Sequence, residues 1–473
     1  MSFTDYENFD ALGLADLVAT HGVKPEELLD AAIERADARN PALNAIPYRW
    51  DDEARASIAA GLPLGPFRGV PFLLKDLGTP YAGQPMSSGS GLFAEYVADH
   101  DSELVSRWKA AGLVTFGRTT SPEFGLTTTT ESRLHGQTHN PWDLDRTSGG
   151  SSGGAAAAVA AGVLPIASAS DGGGSIRVPA SCCGLFGMKP TRGRTPAGPN
   201  VGEGWAGMST AHAVSRSVRD SAALLDATSG PDVGAPYWAQ PPARPFLEEV
   251  GVDPGKLRIG LVLEAFNGAE VDADCLSAVQ DVATLCADLG HEVEPVAIEL
   301  DREAWGRASF LLVTTSTQVT VEDRARDLGR EATPDDVETA TWGMATAEPA
   351  SAGDYARAVR GIHAVGRQIN RYFEQYDVLL SPTMAVPPLE LGRLSLDRED
   401  QAAYRDDIVR TIGFTSLFNA AGNPAMSVPL YWNDKGLPIG LQFAGRHADE
   451  SLLFRLAGQL ESARPWADRR PSV

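Results

Sequence analysis

TSGGSSGGAAAAVAAGVLPIASASDGGGSIRVPASCCGLFGMKP, residues 147–190, is the stretch around which the chain is organised. It holds two glycine-serine clusters, Gly149-Gly150-Ser151-Ser152-Gly153-Gly154 and Asp171-Gly172-Gly173-Gly174-Ser175. Between them, the alanine-rich run 155–161 reads as a helix ended by Gly162, and the apolar run 163–167 as a buried strand. Glycine at this density lets the backbone take conformations closed to other residues and approach a ligand closely. A flexible linker would carry no tight helix and strand between its halves, so the clusters read as two loops of one α/β unit.

With 473 residues the chain can bury a large core, as two or three domains or as one large α/β domain. Its 40 Lys and Arg against 62 Asp and Glu give a net charge of −22, with no basic run. That balance argues against nucleic acid and anionic membranes as partners and for a soluble protein. The acidic opening MSFTDYENFD lacks the apolar core of a signal peptide, and no apolar run is long enough to span a bilayer. The expected location is the cytoplasm. Four cysteines suggest no disulfide framework. Cys275 and Cys286 share an apolar helical face with Val279, Val282 and Leu289, while Cys182 and Cys183 lie among small apolar residues, so all four read as core.

Residues 1 to about 60 read as helical, with Pro25 at a first helical position and an apolar stripe at Leu28, Leu29, Ala32, Ile33 and Ala36. An apolar run from Gly69 to Leu74 is interrupted by Lys75 and Asp76. A capped helix over 101–111 closes at Gly112 and feeds a strand over 113–116, and 131–146 reads as a loop. The Pro-rich segment 231–254 reads as a long surface crossing. Beyond it, strands are expected at 257–263, 291–298, 377–380, 425–430 and 439–444. Helices are expected at 272–289, 303–328, 354–376 and 449–463. Such alternation implies an α/β fold with helices on both faces of a sheet.

Several chemistries compete for the serines. Gly150-Ser151-Ser152-Gly153-Gly154 fits a Gly-x-Ser-x-Gly nucleophile elbow with Ser152 as nucleophile, but the lead-in 143–148 is polar and loop-like. The candidate partners His212, His291, His363 and His447 have no distinguishing context. Ser106-Arg107-Trp108-Lys109 matches Ser-x-x-Lys without the companion Ser-Asp-Asn or Lys-Thr-Gly, and neither cluster ends in the Gly-Lys-Ser/Thr of a P-loop. His135 and His139 sit in a Gly/Asn/Pro loop without a paired acid, which speaks against zinc.

One resemblance uses all the unusual features. Gly149 to Gly154, Asp171 to Ser181, and Lys75 within Val70-Pro71-Phe72-Leu73-Leu74-Lys75-Asp76 resemble the motifs of the amidase signature family. So do Gly184 to Thr191 and Asn419 to Pro429, and the motifs cover nearly the whole chain in order. Within the family the chain is most similar to hydrolases of the 6-aminohexanoate cyclic dimer, through residues 139–143 and 464–471.

The resemblance implies a single large α/β/α domain over 1–473, with a central twisted mixed β-sheet covered by helices on both faces. Its segments would be an N-terminal helical part (1–60), a catalytic core (66–230), the Pro-rich crossing (231–254) and the second half of the sheet with pocket elements (255–473). It also implies a Ser–Ser–Lys triad: Ser175 the nucleophile, Ser151 the bridging serine 24 residues earlier, Lys75 the base. The peptide bond before Ser151 is expected to be cis.

Burial among Phe72, Leu73 and Leu74 would keep Lys75 neutral and able to take a proton. The N–H groups of Gly172, Gly173, Gly174 and Ser175 would form the oxyanion hole. Gly172 stands where many members carry a larger residue, but an N–H donor needs no side chain. Asp171 and Arg177 read as a structural pair, with Asp76 on the other face of its strand. Gly125, Thr127, Thr314 and Thr315 are expected in the substrate pocket, from the 124–130 loop and the 310–320 run.

The implied function is a serine amidohydrolase acting through an acyl-enzyme on small or medium amides: linear or cyclic oligoamides, anilides or carbamates. The alternatives are the glutaminase subunit of a tRNA-dependent amidotransferase, a Ser152-based hydrolase, and an amidase fold that only binds ligands. No metal or cofactor is expected, the partner is a small amide, and a homodimer is left open.

Overall fold

The computed structural model describes residue 3 and residues 5–473; positions 1, 2 and 4 of the expected helical segment lie outside the described residues. The chain forms one α/β domain on an eight-stranded mixed sheet. From edge to edge the strands run Glu292–Pro295, Arg258–Leu261, Val378–Pro382, Pro438–Gly445, Ala425–Trp432, Phe186–Lys189, Thr210–Ser215 and Ile166–Asp171. Arg258–Leu261 is parallel to its two neighbours, and the other pairings are antiparallel. A second, three-stranded sheet places Val114–Thr119 between Tyr48–Arg49 and Pro71–Lys75.

Three large apolar clusters account for the layers. One joins the N-terminal helices Ala11–Ala19 and Pro25–Leu43 to the strand Pro71–Lys75 and the alanine helix Gly153–Ala160. A second packs helices Ala273–Asp288 and Glu450–Ala463 on the central strands. On a third, helices Arg302–Asp327, Ala352–Asn370 and Ser416–Ala421 cover Leu379, Ala425 and Ala444. Cys182 and Cys183 fall in the first cluster, Cys275 and Cys286 in the second, and all four are unpaired and buried. Among the described residues no helix is long and apolar enough to cross a membrane.

Most expected elements are present, with three corrections. The strand expected at 163–167 spans Ile166–Asp171 instead. Pro165 has no N–H to give a ladder, so the strand begins after it. The expected loop at 131–146 contains two short antiparallel pairs, Glu131–Ser132 with Gly136–Gln137 and His139–Asn140 with Asp143–Thr147. Several elements were not expected, among them strands Phe186–Lys189 and Thr210–Ser215 and helices Val218–Thr228, Thr339–Ala345 and Gln401–Thr411; the last two bury few residues and so show little apolar periodicity.

The alanine helix is held by close backbone approach. At Gly154 a methyl group would lie 2.3 Å from Thr120 Oγ1 and 2.5 Å from Thr120 N, inside any tolerable contact. Gly154→Ala is therefore expected to lower the free energy of unfolding by roughly 1–3 kcal/mol, the usual cost of overpacking, as read from urea denaturation.

Candidate active site

Two segments meet at the C-terminal ends of their strands. Lys75 ends Pro71–Lys75, Asp171 ends Ile166–Asp171, and the Lys75 N–H donates to Ser168 Oγ at 2.7 Å. Alternation along the second strand puts Ser168 and Ser170 on one face, toward the lysine. Lys75 Nζ lies 2.7 Å from Ser151 Oγ and 3.0 Å from Ser170 Oγ. The side chain is 1 % exposed, behind the buried Phe72, Leu73 and Leu74. Burial disfavours the ammonium and brings the Lys75 pKa down to about 7, against an upward pull from the Asp171 carboxylate.

Ser151 is carried by the first glycine cluster, and the Gly150–Ser151 peptide bond is cis. Glycine at 150 is a matter of space, since a methyl group there would lie 2.1 Å from the Thr129 carbonyl oxygen. Ser151 and Ser175 line one cleft with a cavity volume of about 260 Å³. Its walls are mainly apolar, from Leu77, Leu104, Phe124, Val201 and Trp205, and among the described residues Glu203 is the one charged side chain lining it.

The second cluster is shaped by a fully buried ion pair. Arg177 Nη2 donates to Asp171 Oδ1 at 2.8 Å and Nε to Oδ2 at 2.9 Å. The same carboxylate accepts from the amides of Gly174 at 2.8 Å and Ile176 at 3.1 Å. Burial alone would raise the Asp171 pKa; Arg177 outweighs it and holds the carboxyl below its ordinary value. Asn419 Nδ2 donates to Asp171 Oδ1 at 2.8 Å, and Arg177 Nη1 to Gln442 Oε1 at 2.7 Å. Asp171 and Arg177 are therefore positioning groups that fold the loop onto the helix Ser416–Ala421. The Gly174 amide is committed to Asp171, which narrows the expected oxyanion donors to Gly172, Gly173 and Ser175.

Of the four expected pocket residues, one lines the cleft and three do not. Gly125 lines it, and a methyl group at 125 would lie 3.0 Å from Ser151 Oγ. Thr127 does not, because its hydroxyl donates to the Leu394 carbonyl at 3.0 Å. Thr314 and Thr315 belong to the long helix Arg302–Asp327, which packs against Ala352–Asn370 and is absent from the cleft wall. The alternative nucleophile Ser152 is buried, with Oγ bonded at 3.3 Å to both the N–H and the carbonyl of Ser170. Among the described residues no histidine lines the cleft; His212 is buried, its pKa pushed down to about 4, with Nε2 2.9 Å from Ser221 Oγ. Asp76 accepts from the Ser87 amide at 2.9 Å, away from the serines.

Much of the cleft lining escaped the sequence reading, Ser170 and Trp205 included. Ser170 shows only as the second hydroxyl of an alternating Ser168-Ala169-Ser170, and Trp205 only as an aromatic within Gly-Glu-Gly-Trp-Ala-Gly. A second buried lysine, Lys189, donates to the Pro190 carbonyl at 2.8 Å, and burial brings its pKa also to about 7.

The Amidase family profile matches residues 27–454. The chain is 38 % identical to a 6-aminohexanoate-cyclic-dimer hydrolase of Paenarthrobacter ureafaciens, over 98 % of this chain and 96 % of that protein. Among solved structures, 6-aminohexanoate cyclic dimer hydrolase in complex with substrate is 36 % identical, with a TM-score of 0.94 over 99 % of both chains. A bacterial aryl acylamidase of the amidase signature family is 28 % identical, with a TM-score of 0.89 over 97 % of both.

The depressed pKa of Lys75 has a consequence for stability. In the unfolded chain the lysine keeps its proton up to about pH 10.5, whereas the folded form releases it near 7. Between those values the unfolded state binds more protons, so the Lys75 contribution to stability rises with pH and is lost as pH falls toward 7. The difference in unfolding free energy between the wild type and Lys75→Met is expected to shift toward the wild type from pH 7 to 10 in urea titrations. Lys189, common to both proteins, cancels.

Proposed function

The chain belongs to the amidase family, whose members hydrolyse carbon–nitrogen bonds, and on that premise we propose that it is a serine amidohydrolase using Lys75, Ser151 and Ser175 through an acyl-enzyme. One observation carries the reading: a buried lysine with its pKa brought down to about 7, 2.7 Å from the Oγ of Ser151, which lines the same cleft as Ser175. Neutral Lys75 takes a proton from Ser151, and Ser151 takes one from Ser175 as Ser175 Oγ attacks the amide carbonyl. The N–H groups of Gly172, Gly173 and Ser175 meet the oxyanion, while Asp171 and Arg177 hold the loop that presents them. Ser151 returns a proton to the leaving amine, and water, deprotonated along the same relay, then hydrolyses the acyl-enzyme. Ser170 is a second acceptor for Lys75 Nζ and orients it toward Ser151.

The substrates we assign are small or medium neutral amides: linear or cyclic oligoamides, anilides or carbamates. The apolar walls favour them, as does likeness to relatives that act on a cyclic oligoamide and on aryl acylamides. Glutamine fits less well, since its α-carboxylate needs a cation and, among the described residues, the charged side chain on the cleft wall is the acidic Glu203. Four buried, unpaired cysteines suit a reducing cytoplasm.

Ser175→Ala is expected to abolish amide hydrolysis and labelling by a fluorophosphonate, with the wild-type adduct mapped to Ser175 by mass spectrometry. An adduct on Ser152 would overturn the assignment. Because the base acts only when neutral, kcat/KM should fall as pH drops through an apparent pKa near 7, the value of Lys75. A profile flat from pH 6 to 9 would remove Lys75 from the role.

A further inference from the structure

We propose that Trp205 is a specificity-determining wall of the cleft, placed over Gly172, and that it selects amides whose acyl group is unbranched or planar next to the carbonyl. The inference rests on the amidase reading and deepens it.

Gly172 has no left-handed φ, so conformation does not require glycine there. Space does. A methyl group at 172 would lie 2.6 Å from Cζ3 and 2.7 Å from Cε3 of the Trp205 ring. The indole thus occupies the volume into which any side chain at 172 would project, and both residues line the cleft with Ser151 and Ser175.

The ring is delivered by an unusual turn. Trp205 and Ala206 have φ of 54° and 53°, a left-handed conformation that L residues disfavour, and Gly207 follows at 81°. The amides of Gly207 and Ser209 both donate to the Gly204 carbonyl at 3.1 Å, closing the turn. Asn419 Nδ2 donates to the Met208 carbonyl at 3.1 Å and to the Asp171 carbonyl at 3.0 Å. One side-chain amide therefore ties the turn to the residue preceding Gly172, and the indole is registered against the nucleophile loop. A carbonyl oxygen on the Gly172 N–H brings the acyl α-carbon beside this ring. A methylene chain or an arene can lie against the indole, whereas an α-substituent meets it.

The test compares kcat/KM on hexanoyl and 2-methylhexanoyl anilides for the wild type, Gly172→Ala, Trp205→Ala and the double variant. Thermal unfolding and fluorophosphonate labelling are followed alongside. Trp205→Ala is expected to narrow the preference for the unbranched substrate by about tenfold or more, the scale of one methyl group in a pocket. Gly172→Ala is expected to lose roughly a hundredfold on both substrates through displacement of the loop, and the double variant to regain most of that loss. Trp205→Phe, which keeps a flat ring, should hold the preference within about threefold of the wild type, and it serves if Trp205→Ala fails to fold. An unchanged preference in Trp205→Ala, or a folded double variant as impaired as Gly172→Ala, overturns the wall while Ser175 labelling leaves the amidase reading intact. Absence of labelling at Ser175 in the wild type overturns that reading and this inference with it.

Discussion

A lysine kept out of water is the constraint on which the rest of the site depends. An ammonium costs several kcal/mol to bury without a counter-charge, and the chain supplies none in direct contact. It surrounds Lys75 Nζ instead with two hydroxyl oxygens, from Ser151 and Ser170. Hydroxyls satisfy a neutral amine as well as a cation, so the arrangement tolerates the deprotonated state that burial favours. Both glycine-serine clusters follow from this. The first must bring Ser151 against the lysine through contacts too close for a side chain at 150 or 154, and the second must bring Ser175 to the same cleft.

A second buried charge does the opposite work. Asp171 is held ionised by Arg177 and spends its remaining lone pairs on backbone amides and Asn419. Its field raises the Lys75 pKa somewhat against desolvation, so the ion pair both folds the loop and tempers the lysine's loss of its proton. Arg177 is anchored in turn by Thr415 and Gln442, which belong to the last third of the chain. That dependence explains why motifs so far apart in sequence belong to one domain: the C-terminal strands and the helix Ser416–Ala421 hold the loop from Asp171 to Ser175 from behind.

Much of this was legible in the sequence. Glycine clusters, an alanine helix between them and a lysine interrupting an apolar strand are local signals, and each describes what its own residues do. The cis bond, the contact of Lys75 with Ser151 and the structural Asp171–Arg177 pair depend on such signals together with the family resemblance, and all three are present in the structure. What failed was non-local. Nothing in the Thr314-Thr315 pair reveals that its helix packs against Ala352–Asn370 rather than the cleft. Residues 195–211, which supply much of the wall, have no periodicity to read. Gly172 reads in the sequence as a departure without consequence, whereas in the structure the Trp205 ring lies where its side chain would go.

The charge state of Lys75 tests the account most directly. The chain has six lysines, and the two buried ones, Lys75 and Lys189, are separable by substitution, so side-chain carbon and nitrogen resonances can be assigned and titrated by NMR. The account predicts that Lys75 titrates near pH 7 in the folded enzyme, far below the ordinary lysine value of about 10.5. A Lys75 resonance that stays protonated beyond pH 10 would contradict it.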